Sequence, residues 1–161
     1  MSKRINIGIA GLGTVGCGVI DNLSRNKENL KDKYDLDFNI IGVSASNKTK
    51  KRSINVEDFS WFDNPLDLAK DRDIDLIIEL IGGEKGIAFD LAIETIKNKK
   101  GFITANKALI STNGKILSEL CSKNNVFLGY EAAVAGGIPI IKTLKSGLFL
   151  DKINDIFGIL N

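Results

Sequence analysis

The chain has 161 residues, 43% hydrophobic and 26% charged, with 22 lysines and arginines against 20 aspartates and glutamates. That length suits one domain with a buried core, and a net charge of +2 gives no general pull toward nucleic acid or an anionic membrane. Histidine is absent, which excludes Ser-His-Asp chemistry and His-rich metal sites and leaves acid–base work to Lys, Asp, Glu or Tyr. No apolar run has the length of a membrane span, and Met1-Ser2-Lys3-Arg4 lacks the long apolar stretch of a signal peptide. The two cysteines, Cys17 and Cys121, fall on expected helices and read as small buried hydrophobes of a reducing compartment. A cytoplasmic protein without nucleic-acid or membrane partners is the expectation.

In chain order, an apolar strand over 3–10 leads through Gly11-Leu12-Gly13-Thr14-Val15-Gly16 into an amphipathic helix over 14–30. A strand over 37–45 follows, then a basic loop over 46–55. Asn64-Pro65 reads as an N-cap with Pro at the first helical position, opening a short helix near 65–71. The near-continuous apolar run 74–81 predicts a strand buried on both faces of a parallel sheet. A helix over 86–98, a strand over 101–105, a helix near 107–123 broken around Gly114 and a strand over 126–130 come next. A helix over 138–148 and a last strand over 153–160 complete the pattern. Strand and helix alternate with short connections, which predicts an α/β fold: a doubly wound, mostly parallel Rossmann-type sheet with helices on both faces.

The glycine turn sits between a strand and a helix, as a dinucleotide fingerprint requires. Gly11 allows the tight turn, Gly13 lets a pyrophosphate approach the backbone, and Gly16 lets the helix pack on the strand. The free N–H groups and positive dipole end of the helix, at Thr14 and Val15, then hold phosphate. NAD-binding versions carry an acid at the end of the second strand for the ribose 2′-hydroxyl. Here that end is Ser44-Ala45-Ser46-Asn47, followed by Lys48-Thr49-Lys50-Lys51-Arg52. Ser44, Ser46, Asn47 and one cation together suit a 2′-phosphate and favour NADP, with NAD possible. Taken singly, Lys50 and Lys51 read as solvated surface charge.

Three further motifs stand at expected carboxyl ends of strands, where open α/β sheets bind ligands. Glu79-Leu80-Ile81-Gly82-Gly83 offers bare backbone at Gly82, although a turn before a helix reads the same way. Thr104-Ala105-Asn106-Lys107 places a lysine at a strand mouth. Tyr130-Glu131-Ala132-Ala133-Val134-Ala135-Gly136-Gly137-Ile138-Pro139 is rich in small residues. Irregular backbone there would turn carbonyls outward toward a hard cation, or simply join a loop to a helix.

Together these motifs, with the closing Gly158-Ile159-Leu160-Asn161, resemble homoserine dehydrogenase over essentially the whole chain. The resemblance implies interconversion of aspartate 4-semialdehyde and homoserine with NAD(P), in threonine and methionine biosynthesis. It implies that Gly82 and its neighbours border the cofactor and that Lys107, the candidate catalytic residue, lies beside nicotinamide and substrate. It also implies that carbonyls of Glu131, Val134, Gly136 and Ile138 hold a monovalent cation such as Na⁺. Many relatives have Arg-Asp where this chain has Ser46-Asn47. In the family, Gly-Ile-Leu-Asn runs on into a substrate-binding and dimerisation domain. The expectation is therefore a cofactor domain over 1–152 and, over 153–161, a strand leading toward that domain. By this reading the chain is inactive alone and the complete enzyme is a homo-oligomer. Two alternatives compete: another NAD(P)-dependent dehydrogenase of aspartate-family metabolites, and a non-catalytic nucleotide-sensing module. A semialdehyde dehydrogenase would need an acylating cysteine, and neither Cys17 nor Cys121 stands at a strand mouth.

Overall fold

A computed structural model describes residues 2–158. Six strands form one sheet in the order β3-β2-β1-β4-β5-β6, with every neighbouring pair parallel. They are β1 (Lys3–Ala10), β2 (Leu36–Ser44), β3 (Ser60–Trp61), β4 (Leu76–Glu79), β5 (Gly101–Thr104) and β6 (Leu128–Gly129). The helices are α1 (Thr14–Arg25), α2 (Lys27–Tyr34), α3 (Pro65–Lys70), α4 (Ile87–Lys97), α5 (Lys107–Asn124) and the short α6 (Ile140–Lys142). From β1 the chain moves outward through β2 to β3. It then crosses by α3 to β4 on the other side of β1, so the winding reverses between β1 and β4. At such a switch point the loops part and leave a crevice.

Two apolar layers sandwich the sheet. On one face, Ile7, Ile9 and Val43 pack against Ile20 of α1, with Val19 and Leu23 beside it. On the other, Ala10, Ile77 and Phe102 pack against Leu68 of α3, Leu91 and Ile96 of α4, and Leu109 and Leu117 of α5. The alternation of faces along each strand follows from the two-residue period of extended backbone. The doubly wound fold with helices on both faces is the one expected.

Several local expectations are corrected. The first helix does not run unbroken to residue 30. Asn26 leaves helical geometry (φ −100°, ψ 8°), and its side-chain amide donates to the Asn22 carbonyl at 2.9 Å. This side-chain competition ends α1, and α2 carries the chain to a left-handed Asp35. The edge strand β3, two residues long, is too brief to show a period in the sequence. In contrast, α5 passes through Gly114 unbroken. One exposed-helix glycine costs about 1 kcal/mol, less than the burial of Leu109, Leu117 and Cys121 returns. The strand expected over 153–160 does not form over 153–158. That stretch pairs with none of the six strands, and Ile156 and Phe157 are exposed; Ile159 and Leu160 fall outside the described residues.

Strand β4 ends at Glu79, two residues before the apolar run does. Leu80 still donates to the Ala10 carbonyl (2.7 Å), but the next two N–H groups turn to the Glu79 side chain: Ile81 at 2.7 Å and Gly82 at 3.1 Å. The strand is stopped by its own last carboxylate.

Candidate cofactor site

The crevice is built from the glycine turn outward. Gly11 donates to the Ser44 carbonyl at 2.8 Å, tying the turn to the end of β2. Its φ of +103° suits glycine, and a Cβ there would lie 2.5 Å from the Leu80 carbonyl group. Gly16 presses its Cα against the turn, where a Cβ would stand 2.0 Å from the Gly11 oxygen. Gly13 faces the opposite situation: a Cβ would meet nothing within 4 Å.

Gly13 is also the N-cap of α1 and has no side chain to cap with. The first bond inside the helix runs from Cys17 N–H to the Gly13 carbonyl at 3.0 Å. Among the described residues, the N–H groups of Thr14, Val15 and Gly16 therefore have no acceptor, and the first turn carries no acid. Unclaimed donors, the positive helix end and an open approach over Gly13 make this turn fit a pyrophosphate.

Three cavities surround the turn. Toward β2, one of 320 Å³ is lined by Gly11, Leu12, Ser44, Ala45, Ser46, Asp63, Pro65, Leu80, Ile81 and Ile87. Its one carboxylate, Asp63, accepts from the Trp61 indole N–H at 2.8 Å. In front of α1, a cavity of 270 Å³ joins Gly13, Thr14 and Cys17 to Lys50, Lys51 and Arg52. Toward β4 and β5, one of 160 Å³ is lined by Val15, Leu80, Ile81, Gly82, Ala105 and Asn106. The first suits the adenosine end of a dinucleotide, the second the phosphates and the third the nicotinamide.

The basic run does not say from sequence which cation turns inward; the structure selects Arg52. Its guanidinium donates to the carbonyls of Leu12 (3.2 Å), Lys48 (3.2 Å), Lys50 (2.8 Å) and Asn47 (2.6 Å). It also lies 5.8 Å from the Trp61 ring centre. One planar fork thus pins the β2 loop to the glycine turn. Asn47 uses its side-chain oxygen for the N–H groups of Thr49 (2.9 Å) and Lys50 (3.1 Å). That leaves its NH₂ as donor, though Asn47 lines none of the three cavities.

On the β4–β5 side, Thr104 donates its hydroxyl to Glu79 at 2.5 Å and accepts the Asn106 N–H at 2.9 Å. Asn106 caps α5 by accepting from Leu109 N–H at 3.0 Å, and its amide donates to the Gly83 carbonyl at 2.5 Å. Lys107 is the first residue of α5 and is exposed. The sequence marks Thr104 and Asn106 as flanking residues; only the structure shows that they link two loops.

The segment expected to hold a cation stands apart from these cavities. Glu131–Ala133 and Ala135–Gly137 form tight single turns, and Ala135, Gly136 and Gly137 all have positive φ. The Glu131 carboxylate caps the next helix, accepting from Ile141 N–H at 3.1 Å and Lys142 N–H at 3.2 Å. The carbonyls of Glu131 and Ile138 each accept one backbone bond. Those of Val134 and Gly136 accept none among the described residues. Nor do those residues hold a group of three or more His, Cys, Asp or Glu side chains able to bind a metal.

A larger cavity of 890 Å³ opens at the opposite, amino-terminal edge of the sheet. Lys3, Arg4, Lys70, Arg72 and Lys99 line it together with Asp75, apolar residues and the buried Lys100, whose ammonium donates to the Asp71 and Ile74 carbonyls. It has no glycine turn and no free helix start, so size alone does not make it the dinucleotide site. Neither cysteine lines the cavities beside β2 or between β4 and β5. Cys17 is buried in α1, and burial pushes the Cys121 thiol up, away from thiolate.

The family model described as the NAD-binding domain of homoserine dehydrogenase matches residues 11–131. The chain belongs to the homoserine dehydrogenase family. It is 39% identical over 159 residues to the homoserine dehydrogenase of Neisseria gonorrhoeae, covering 99% of this chain and 36% of that protein. Solved structures agree. The Thiobacillus denitrificans homoserine dehydrogenase superposes with TM-score 0.81 at 36% identity, covering 92% of this chain and 34% of that one. The Staphylococcus aureus enzyme gives TM-score 0.79 at 36% identity, covering 86% and 34%. The chain spans about a third of the length of the relatives it matches. As a homoserine dehydrogenase NAD-binding domain, it carries a nicotinamide-cofactor site. No helix among the described residues is long and apolar enough to cross a membrane.

Proposed function

We propose that this chain binds NADPH and forms the cofactor half of a site that interconverts aspartate 4-semialdehyde and homoserine. The observation that carries the reading is the unclaimed first turn of α1, open over Gly13 and flanked by one cavity on each side. Bound there, the cofactor supplies or takes up a hydride. Thr14, Val15 and Gly16 hold the pyrophosphate through their N–H groups. Ser44 and Ser46 border the adenosine ribose. Ser46, the Asn47 amide and the lysines of the Arg52-pinned loop hold the 2′-phosphate, which no free carboxylate opposes there. Val15, Gly82, Ala105 and Asn106 wall the nicotinamide ring. Lys107 donates from its ammonium to the aldehyde oxygen and orients it. The cofactor domain occupies residues 1–152 and works in the cytoplasm, within a homo-oligomer of the complete enzyme.

A monovalent cation such as Na⁺ fits the 131–138 segment, where the backbone is irregular and the Val134 and Gly136 carbonyls are uncommitted. Carbonyls of Glu131 and Ile138 complete the donor set, since each keeps a second lone pair. The cation would fix the turn ahead of α6.

The test is calorimetric titration of the chain with NADPH and NADH. NADPH should bind more tightly; equal affinities, or a preference for NADH, would overturn the 2′-phosphate assignment. The chain alone should show no turnover with homoserine and NADP⁺. Positioning contributes as much as roughly 7–11 kcal/mol to enzymatic rates, and Lys107 by itself does not fix the substrate's amino and carboxylate groups. Robust turnover would sink that part of the reading.

A further inference from the structure

Glu79 is the only acidic residue among the fully buried side chains of the described chain. It sits at the carboxyl end of β4, between Ala10 of β1 and Thr104 of β5. A charge so placed is costly unless every lone pair facing the protein is satisfied. Here three donors meet it: the N–H groups of Ile81 (2.7 Å) and Gly82 (3.1 Å) on one oxygen, and the Thr104 hydroxyl (2.5 Å) on the other. The Thr104 oxygen already accepts the Asn106 N–H (2.9 Å) and turns its own proton to Glu79, so the carboxylate meets three donors. The groups it holds are not incidental. Ile81 and Gly82 form one wall of the 160 Å³ cavity, and Thr104 positions Asn106 on the other. The carboxylate therefore stands one peptide group behind the cavity, screened from water.

We infer that Glu79 is a positioning residue for the nicotinamide. Its hydrogen bonds fix both walls of that cavity, and its fixed negative charge favours the oxidised, cationic ring over the reduced, neutral one. This rests on the cofactor reading above. The physics is Coulombic. An oxidised nicotinamide carries a positive charge on its ring and the reduced form does not. A buried anion a few ångströms behind the ring therefore acts on one redox form only, at an effective dielectric well below that of water.

Glu79→Gln tests the charge at nearly constant volume. The amide can still accept from Ile81 and Gly82, but its NH₂ must face Thr104, which then loses its acceptor. The measurement is the pair of dissociation constants for NADP⁺ and NADPH, by calorimetry on the 161-residue chain. NADP⁺ affinity should fall by roughly three- to tenfold, with NADPH changing less than about twofold. The ratio of the two constants thus shifts by at least about threefold. A merely structural glutamate would move both constants by the same factor, and that result overturns the inference. So does no change in either. Should Glu79→Gln fail to fold, Thr104→Val decides. It removes the hydroxyl bond and keeps the charge, so both affinities should weaken together at a constant ratio; a shifted ratio would contradict the charge assignment. If the unaltered chain binds neither form, the cofactor reading fails first and takes this inference with it.

Discussion

The three glycines of the turn should fail in different ways when each receives one methyl group. At Gly16 the methyl would stand 2.0 Å from the Gly11 carbonyl oxygen, against an ordinary contact distance that begins near 3.4 Å. The backbone on both sides is fixed, by β1 pairing and by α1, so the overlap cannot relax through a side chain. Alanine gains about 1 kcal/mol in helix propensity. Overpacking of this kind costs typically 1–3 kcal/mol and more when backbone must move. Gly16→Ala should therefore lose net stability, by about 1–3 kcal/mol, and lift α1 off the turn. Gly13 offers the control. Its φ of −77° suits alanine, and no atom lies within 4 Å of the new methyl. The stiffer unfolded chain gains about 0.4–1 kcal/mol, offset by alanine's poorer N-capping. Gly13→Ala should leave the urea midpoint nearly unchanged yet weaken NADPH at least tenfold, because the methyl fills the phosphate's approach. Urea denaturation and calorimetric titration of both variants separate the effects. If Gly13→Ala keeps full NADPH affinity, or the two variants lose stability equally, the reasoning about the turn is refuted.

Other perturbations follow from the same geometry. Arg52→Ala removes four charge-assisted bonds to carbonyls and should cost about 1–2 kcal/mol together with NADPH affinity. Arg52→Lys should not rescue it, since a point charge cannot replace the planar fork; recovery by lysine would count against the pinning role. Ser46→Asp should turn the preference toward NADH, read as a reversed ratio of dissociation constants. Lys107→Ala should change NADPH affinity in this chain by less than about twofold while sharply cutting activity of the full-length protein; lost cofactor binding alone would make Lys107 a cofactor ligand instead. The Arg4 guanidinium, 2.9 Å from Asp37, holds that carboxyl below the usual carboxylate range, helped by Lys27 and opposed by burial. A lowered native value means the stabilisation is present above the unfolded value near about 4 and is lost as pH falls through the native one. Urea midpoints between pH 2 and 6 should drop on the acid side, and in Arg4→Ala the drop should be smaller, because the native value then lies closer to the unfolded one.

The glycine turn, the capped start of α3 and the buried apolar strands were legible because each has a local cause. Asn64 does accept from Leu66 N–H at 3.0 Å, as an N-cap before Pro65 should. What the sequence hid depends on partners distant in the chain. Arg52 is one of several cations until Leu12, forty residues away, receives its guanidinium. Glu79 reads as part of a strand until its carboxylate is seen taking the next two N–H groups and the Thr104 hydroxyl. The final strand failed for the same reason in reverse. Apolar residues near 153–158 suggest extended pairing, but a strand forms only where another edge is within reach. Gly114 shows the limit of treating glycine as a breaker when burial on the far face of the helix is large.

The central claim is that a dinucleotide lies across the glycine turn, and amide NMR of the chain titrated with NADPH tests it most directly. Shifts should concentrate at Gly11–Gly16, Ser44–Arg52, Ile81–Gly83 and Ala105–Lys107, and saturate with the calorimetric constant. Shifts confined instead to Lys3, Arg4, Lys70 and Lys99, around the basic cavity at the opposite edge of the sheet, would contradict the account.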